Sequence, residues 1–318
     1  MSNPAHPLLV VCGPTASGKS SLALSLALRF GGEIVNCDSL QVYRGMDVGT
    51  AKPAAAERMA VPHHLFDILE PERVFNAGDY AAAARRVIGE ITARARLPVV
   101  VGGTGFYLRA LLEGLADGPA RDDRLRQGMA VREARRPGSL HRILRRLDAA
   151  TAARIHRNDV QKTTRALEIC LLARQPASLL FTASASAALE GYRVLQIGLD
   201  PPRAELHERI AARTRAMFEA GLEREVEELL AHGVPATAKA FESIGYKETL
   251  SMLQGCITRD QAMELTTIAT RQYAKRQLTW FRRNPQVRWL RCFGEAEEAR
   301  QSAVSWVNDW CGGEADFT

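Results

Sequence analysis

Gly13-Pro14-Thr15-Ala16-Ser17-Gly18-Lys19-Ser20 follows a short apolar run, Leu8 to Cys12, and precedes Ser21 to Arg29, where Leu and Ala recur at helical spacing. Strand, glycine-rich turn and helix in that order make a P-loop. Each residue type has a reason. The glycines let successive backbone N–H groups turn inward toward phosphate oxygens, and the helix adds the partial positive charge of its N-terminus. Lys19 supplies a point charge for a terminal phosphate, and the Ser20 hydroxyl is a ligand for Mg2+. Gly13, Pro14, Thr15, Ala16, Ser17, Gly18, Lys19 and Ser20 are therefore expected to hold the di- or triphosphate of a nucleotide or another ester, with Mg2+ as companion ion.

Outward from this loop, Gly31-Gly32 ends the first helix and Glu33 to Asn36 reads as a second strand. Leu97 to Val101 is another buried strand, closed by Gly102-Gly103 and followed by a helix from Gly105 to Glu113. Strands alternating with helices give an α/β fold, a P-loop NTPase-like parallel sheet flanked by helices. From Arg121 to Glu190 the strand signals vanish, and Arg, Leu and Ala fall at helical spacing. Phe181 to Leu189, rich in Ala and Ser, reads as a loop or linker. Tyr192 to Gly198 returns to strand, helices follow at Arg203 to Ala220, Leu222 to His232 and Thr258 to Arg283, and Val287 to Leu290 reads as a last short strand. The expected organisation is a core of residues 1–120 and 191–318 interrupted by a mainly helical insertion, 121–190.

Charge singles out that insertion. Arg121 to Arg165 holds thirteen Lys/Arg against five Asp/Glu, an excess of eight positive charges, whereas the whole chain carries +6. The remainder is slightly acidic, so the asymmetry points to a polyanion partner for this segment; the alternative is a solvated helical face. The six cysteines are scattered with no C-x-x-C pair, so neither a zinc site nor a redox motif is indicated. No signal peptide precedes the first strand, and no apolar run is long enough to span a bilayer. A cytoplasmic monomer with no membrane partner is the expectation.

Asp38 follows the second strand, at the sheet edge that faces the phosphate loop. A carboxylate there can take a proton from an attacking amine or hydroxyl, or it can simply cap a turn. Switch and motor NTPases usually end a second apolar strand in a metal-holding acid. Here Leu97 to Val101 ends in Gly102-Gly103-Thr104-Gly105, without a carboxylate. That weakens nucleotide hydrolysis and leaves small-molecule kinases and other pyrophosphate-handling transferases.

The run Asp38-Ser-Leu-Gln-Val-Tyr-Arg-Gly-Met-Asp-Val-Gly-Thr-Ala-Lys-Pro53 resembles bacterial tRNA dimethylallyltransferases. Five further blocks resemble the same family, in order: Pro62 to Asp67, Val101 to Leu112, Arg154 to Asp159 with Arg165 to Glu168, Ile244 to Glu248, and Gln272 to Arg282. The resemblance implies transfer of a dimethylallyl group from its diphosphate to N6 of the adenosine 3′ to the anticodon, with pyrophosphate released. The phosphate loop would hold dimethylallyl diphosphate with Arg213 nearby, and Asp38 would be the general base. Thr104 and Lys19 would complete the catalytic set, with Ser39, Leu40 and Gln41 holding a flipped base. Arg126 and the run Gln161, Lys162, Thr163, Thr164 and Arg165 would touch the tRNA anticodon stem-loop from the insertion. So would Glu242, Ser243, Ile244, Gly245, Tyr246 and Lys247, and the helix residues Lys275, Arg276, Gln277, Leu278, Thr279, Trp280, Phe281 and Arg282.

The chain departs from the family pattern at Arg157 and Val160, where Pro is usual, and at Ala240-Phe-Glu-Ser243. These touch loops or RNA contacts rather than the catalytic blocks. Core packing is the alternative for Trp280 and Phe281, and a structural role is the better reading of His63-His64. Two other functions share the phosphate loop: a small-molecule kinase using ATP, and an RNA-binding NTPase switch. The kinase leaves the basic insertion and the cationic helix from Arg271 to Arg283 unexplained. The missing metal acid and the placement of Asp38 speak against the switch.

Overall fold

The computed structural model describes residues 5–115, 118–183 and 188–312. It separates into two compact units, residues 1–112 with 189–318 and residues 113–188.

The first unit is built on six parallel strands: β1 (His6–Cys12), β2 (Gly32–Asn36), β3 (His63–His64), β4 (Leu97–Gly102), β5 (Tyr192–Leu199) and β6 (Val287–Leu290). Their order is β3-β2-β4-β1-β5-β6. The sequence-based expectation names five of these. The two-residue β3, paired through Ile34 and Val35, is too short to leave a periodic signal. The chain leaves β1 toward β2 on one side and leaves β4 toward β5 on the other. The adjacent ends of β1 and β4 are thus the point where connections reverse, the place where open α/β sheets bind ligands.

Inner strands buried on both faces need unbroken apolar runs, and Leu8, Leu9, Val10, Val11 and Cys12 are all essentially inaccessible. The helix Lys19–Arg29 buries Leu22, Ala23, Leu26 and Ala27, spacing that puts them on one face. They join Leu9, Val11, Ile34, Val99 and Ile197 in one cluster, closed by Ala299, Ala303 and Val307 of the helix Glu297–Cys311. Burying Leu22 or Leu26 contributes about 2 kcal/mol each, and Leu26→Ala would cost about 2–5 kcal/mol. Among the described residues four α-helices add to those expected: Ala77–Ala93, Ala55–Ala60, Tyr246–Leu253 and Glu297–Cys311. The first starts where the Asn76 side chain accepts from the N–H groups of Gly78 and Asp79 and Asp79 returns a bond to the Asn76 N–H, a capping box.

The second unit is helical among its described residues: Asp123–Arg135, Ser139–Leu147, Ala149–Arg154, Val160–Ala173 and Ala177–Ala183. Its core is Met129, Leu140, Leu144, Leu167 and Ile169. It begins before Arg121 because the Pro119 carbonyl accepts from Arg165, 3.0 Å away. It ends before Glu190 because the Leu189 N–H returns to the Leu112 carbonyl of the first unit. The linker expected from Phe181 to Leu189 is corrected at its start, since helix runs through Ala183. Residues 184–187 lie outside the described residues.

Candidate active site

The phosphate loop is stiffened from within and from far away in sequence. The Pro14 carbonyl accepts from Ser17 Oγ at 2.8 Å and from Lys19 Nζ at 2.6 Å. Gly18 takes φ +84°, a left-handed conformation, and a Cβ there would run into the Glu295 carboxylate. The Gln277 amide joins two loops: its Oε1 accepts from the Thr15 N–H at 2.8 Å, and its Nε2 donates to the Gly103 carbonyl at 2.9 Å. The turns after β1 and β4 are therefore fixed to each other by one buried side chain.

Asp38 stands one turn beyond β2. Its Oδ1 accepts from the Leu40 N–H at 2.8 Å, and its own N–H donates to Asn36 Oδ1 at 3.0 Å. Thr104 Oγ1 accepts from the Ser39 N–H at 3.2 Å. These bonds fix the backbone on both sides of the carboxylate, and no hydrogen bond among the described residues occupies its second oxygen.

Two cavities of the first unit meet at this point. One is lined by Thr15, Lys19, Ser20, Gln41, Arg213 and Gln277 on its polar side and by Leu24, Ile34, Phe66 and Val101 on its apolar side. The other is lined by Ser39, Leu40, Ile210, Met217 and the run Glu242, Ser243, Ile244 and Gly245. Asp38, Thr15, Thr50, Arg213 and Tyr273 line both. The cavity at the Gly13–Ser20 loop and the outer cavity thus share one carboxylate.

The electrostatics suit an anion. Burial, and secondarily the Arg213 guanidinium, push Lys19 down to about 8, while Asp38 and Cys12 act in the opposite sense. Burial lowers Arg213 as well, with Asp38 opposing. Two cations held in a desolvated pocket are costly unless a counter-charge arrives. Burial raises the Tyr273 hydroxyl, and Asp38 adds to the shift, so Tyr273 faces the cavity as a neutral phenol. Ser20 lines the phosphate end, and no cluster of three or more His, Cys, Asp or Glu among the described residues has the arrangement of a metal site. That donor set fits Mg2+ arriving with phosphate oxygens and water as most of its ligands.

Several residues expected to touch RNA have other partners. Tyr246 is fully buried, with its hydroxyl 2.6 Å from Glu225. Gln277 holds the two loops, Phe281 is buried, and Thr163 packs inside the second unit. These four corrections share a cause: each side chain lies on the inward face of its helix or turn. Arg126 and Arg165 both grip the fully buried Glu168, at 2.7 and 2.5 Å, so part of each guanidinium is spent within the second unit. Arg282 forks onto Asp200 at 2.8 and 2.9 Å, and Arg291 shares that carboxylate. Lys247, Lys275, Arg276, Thr279 and Trp280 are exposed on the first unit, with Leu278 half-buried. Gln161 and Lys162 are exposed, and Thr164 half-exposed, on the second. His63 bonds the Val61 carbonyl and His64 bonds Glu33, the structural role expected. Tyr273 and Thr50 were missed; the spacing of four from Tyr273 to Gln277 on one helix is the signal that places them on the same face.

The sequence profile of the IPP transferase family matches residues 41–284. The tRNA dimethylallyltransferase of Solibacter usitatus is 56% identical over 306 residues, 96% of this chain and 99% of the relative. That of Koribacter versatilis is 52% identical over 93% of this chain and 95% of its own length. A crystal structure of the full-length tRNA isopentenylpyrophosphate transferase of Bacillus halodurans superposes with a TM-score of 0.70 at 35% identity, covering 98% of this chain and 97% of that one. A eukaryotic dimethylallyltransferase, captured acting on tRNA, superposes with a TM-score of 0.83 at 26% identity over 97% of this chain and 80% of its own. A family profile matching residues 41–284, more than half of the chain, and a relative 56% identical over 96% of it make this chain a member of the IPP transferase family.

Proposed function

We propose that the protein transfers a dimethylallyl group from dimethylallyl diphosphate to N6 of the adenosine 3′ to the anticodon of tRNA, releasing pyrophosphate. The observation that carries this reading is the position of Asp38, shared by a cationic phosphate-binding cavity and a second cavity with a mouth at Glu242 to Gly245. The activities named for the relatives support it.

The pyrophosphate lies in the loop Gly13 to Ser20, against Lys19 and Arg213. These donors stabilise the charge that grows on the departing oxygen. The Ser20 hydroxyl would help to hold Mg2+, which would supply further stabilisation of that charge when bound. The N6 lone pair bonds to the allylic carbon as that carbon's bond to oxygen breaks, and the N6 proton passes to the free oxygen of Asp38. Leu40, Ile210 and Met217 wall the outer cavity and exclude water from an electron-poor allylic centre. Thr104 holds the Asp38 turn in register through Ser39.

An adenine in a folded loop reaches such a cavity only by leaving its stack. The exposed Lys247, Lys275, Arg276, Thr279 and Trp280 on the first unit offer contacts to the anticodon stem-loop. So do Gln161, Lys162 and the arginine excess of the second unit. No helix among the described residues is long and apolar enough to cross a membrane.

The test is to incubate the protein with radiolabelled dimethylallyl diphosphate or labelled ATP, with and without tRNA. Label should pass from the prenyl donor to tRNA alone. Transfer from ATP to a small molecule, or no label on tRNA, would overturn the reading.

A further inference from the structure

Glu225 lies outside both cavities, in the helix Leu222–Ala231, and is nearly inaccessible. A buried carboxylate requires partners, and this one has four. Its Oε2 accepts from the N–H groups of Asp47 at 2.8 Å and Val48 at 2.6 Å. Its Oε1 accepts from the Gly49 N–H at 3.1 Å and from the Tyr246 hydroxyl at 2.6 Å. Three successive backbone donors converging on one anion form a nest, and here the anion is the protein's own side chain. Gly49 is required at its place, because a Cβ would lie 2.5 Å from the Tyr246 ring.

The opposite side of this turn is the wall of the active site. Thr50 Oγ1 donates to the Met46 carbonyl at 2.6 Å and closes the turn. The Thr50 carbonyl accepts from Gln41 Nε2 at 3.1 Å and lies 3.5 Å from Arg213 Nη2. Arg213 is the cation shared by the two cavities, and the Thr50 carbonyl is the acceptor that its guanidinium reaches. Displacement of the turn would take this acceptor away from Arg213. Tyr246 extends the same connection to the rim, since it follows Gly245 directly in the chain.

We propose that Glu225, anchored by Tyr246, is a positioning residue for the diphosphate donor: by holding the Asp47–Thr50 turn it sets the carbonyl that aims Arg213 at the pyrophosphate. This rests on the function proposed above and adds to it a residue that touches neither substrate. It also gives Tyr246 a role in donor binding in place of an RNA contact.

Prenyl transfer by the full chain would be measured with donor and tRNA varied separately, for the unaltered protein, Glu225→Gln and Tyr246→Phe, alongside thermal melting of each. In Glu225→Gln an amide NH2 faces backbone donors. Tyr246→Phe keeps the ring against Gly49 and loses one hydrogen bond, so it remains a folded test. The expected result is a rise in donor KM of about tenfold for Glu225→Gln and about threefold for Tyr246→Phe, with tRNA KM within about twofold of the unaltered value. A purely structural role would lower the melting temperature and the active fraction while leaving donor KM unchanged, and that outcome overturns the proposal. A rise in tRNA KM without a rise in donor KM overturns it too, by assigning the pair to the RNA mouth. If the unaltered protein transfers no prenyl group, the reading of function falls, and the proposal with it.

Discussion

Asp38→Asn isolates the proposed proton acceptor. In the native turn one carboxylate oxygen is fixed by the Leu40 N–H at 2.8 Å, and the other is open to the cavity. Asparagine keeps the first interaction through its own Oδ1 and replaces the second oxygen by an NH2 that cannot take a proton. The turn should survive with a stability cost under about 1 kcal/mol, because the fixed bond is retained. A positioned general base contributes about 10²–10⁴ in rate, or about 2.7–5.5 kcal/mol of barrier. The single-turnover rate with labelled donor and saturating tRNA should fall by that factor. Affinity for tRNA, measured by filter binding, should stay within about threefold. A variant that turns over within about threefold of the unaltered protein would remove Asp38 from the proton transfer.

Three further outcomes are expected. Lys19 must be charged to hold pyrophosphate and is pushed down to about 8, so donor kcat/KM should decline as pH rises through that value, by about tenfold at one unit above it. Lys19→Arg should abolish this limb, since a guanidinium stays charged; an unchanged limb in that variant would assign it to another group. Burial alone would raise Glu168, but hydrogen bonds from Arg126, the Asp122 N–H and Arg165 overcome it and hold the carboxyl down to about 2. Its folded value lies below its unfolded one, so the stabilisation is present above about pH 4.5 and is lost as pH falls toward 2; Glu168→Gln should cost about 3 kcal/mol at neutral pH, read from denaturant unfolding. Gln277→Ala strips the partners from the Thr15 N–H and the Gly103 carbonyl and should cost about 2–4 kcal/mol with a raised donor KM, and unchanged values of both would show that the two loops hold their places without it.

The sequence alone was sufficient for the phosphate loop, because eight contiguous residues determine a backbone shape whose function is local. It was sufficient for the parallel sheet, since buried strands must be written as apolar runs, and for the placement of Asp38, since a residue just past a parallel strand faces the ligand edge wherever the strand sits. It was not sufficient to separate RNA-facing side chains from interior ones. Tyr246, Gln277 and Thr163 carry polar groups that can serve either purpose, and the choice depends on the rotation of each helix against its neighbours. Gln277 reaches a loop 262 residues away, and Glu225 reaches a turn 176 to 178 residues away. Neither pairing leaves a periodic trace in the chain. Tertiary packing made those decisions, because a buried polar group persists only where distant backbone donors and acceptors meet it, and that meeting exists only once the sheet and its helices have assembled.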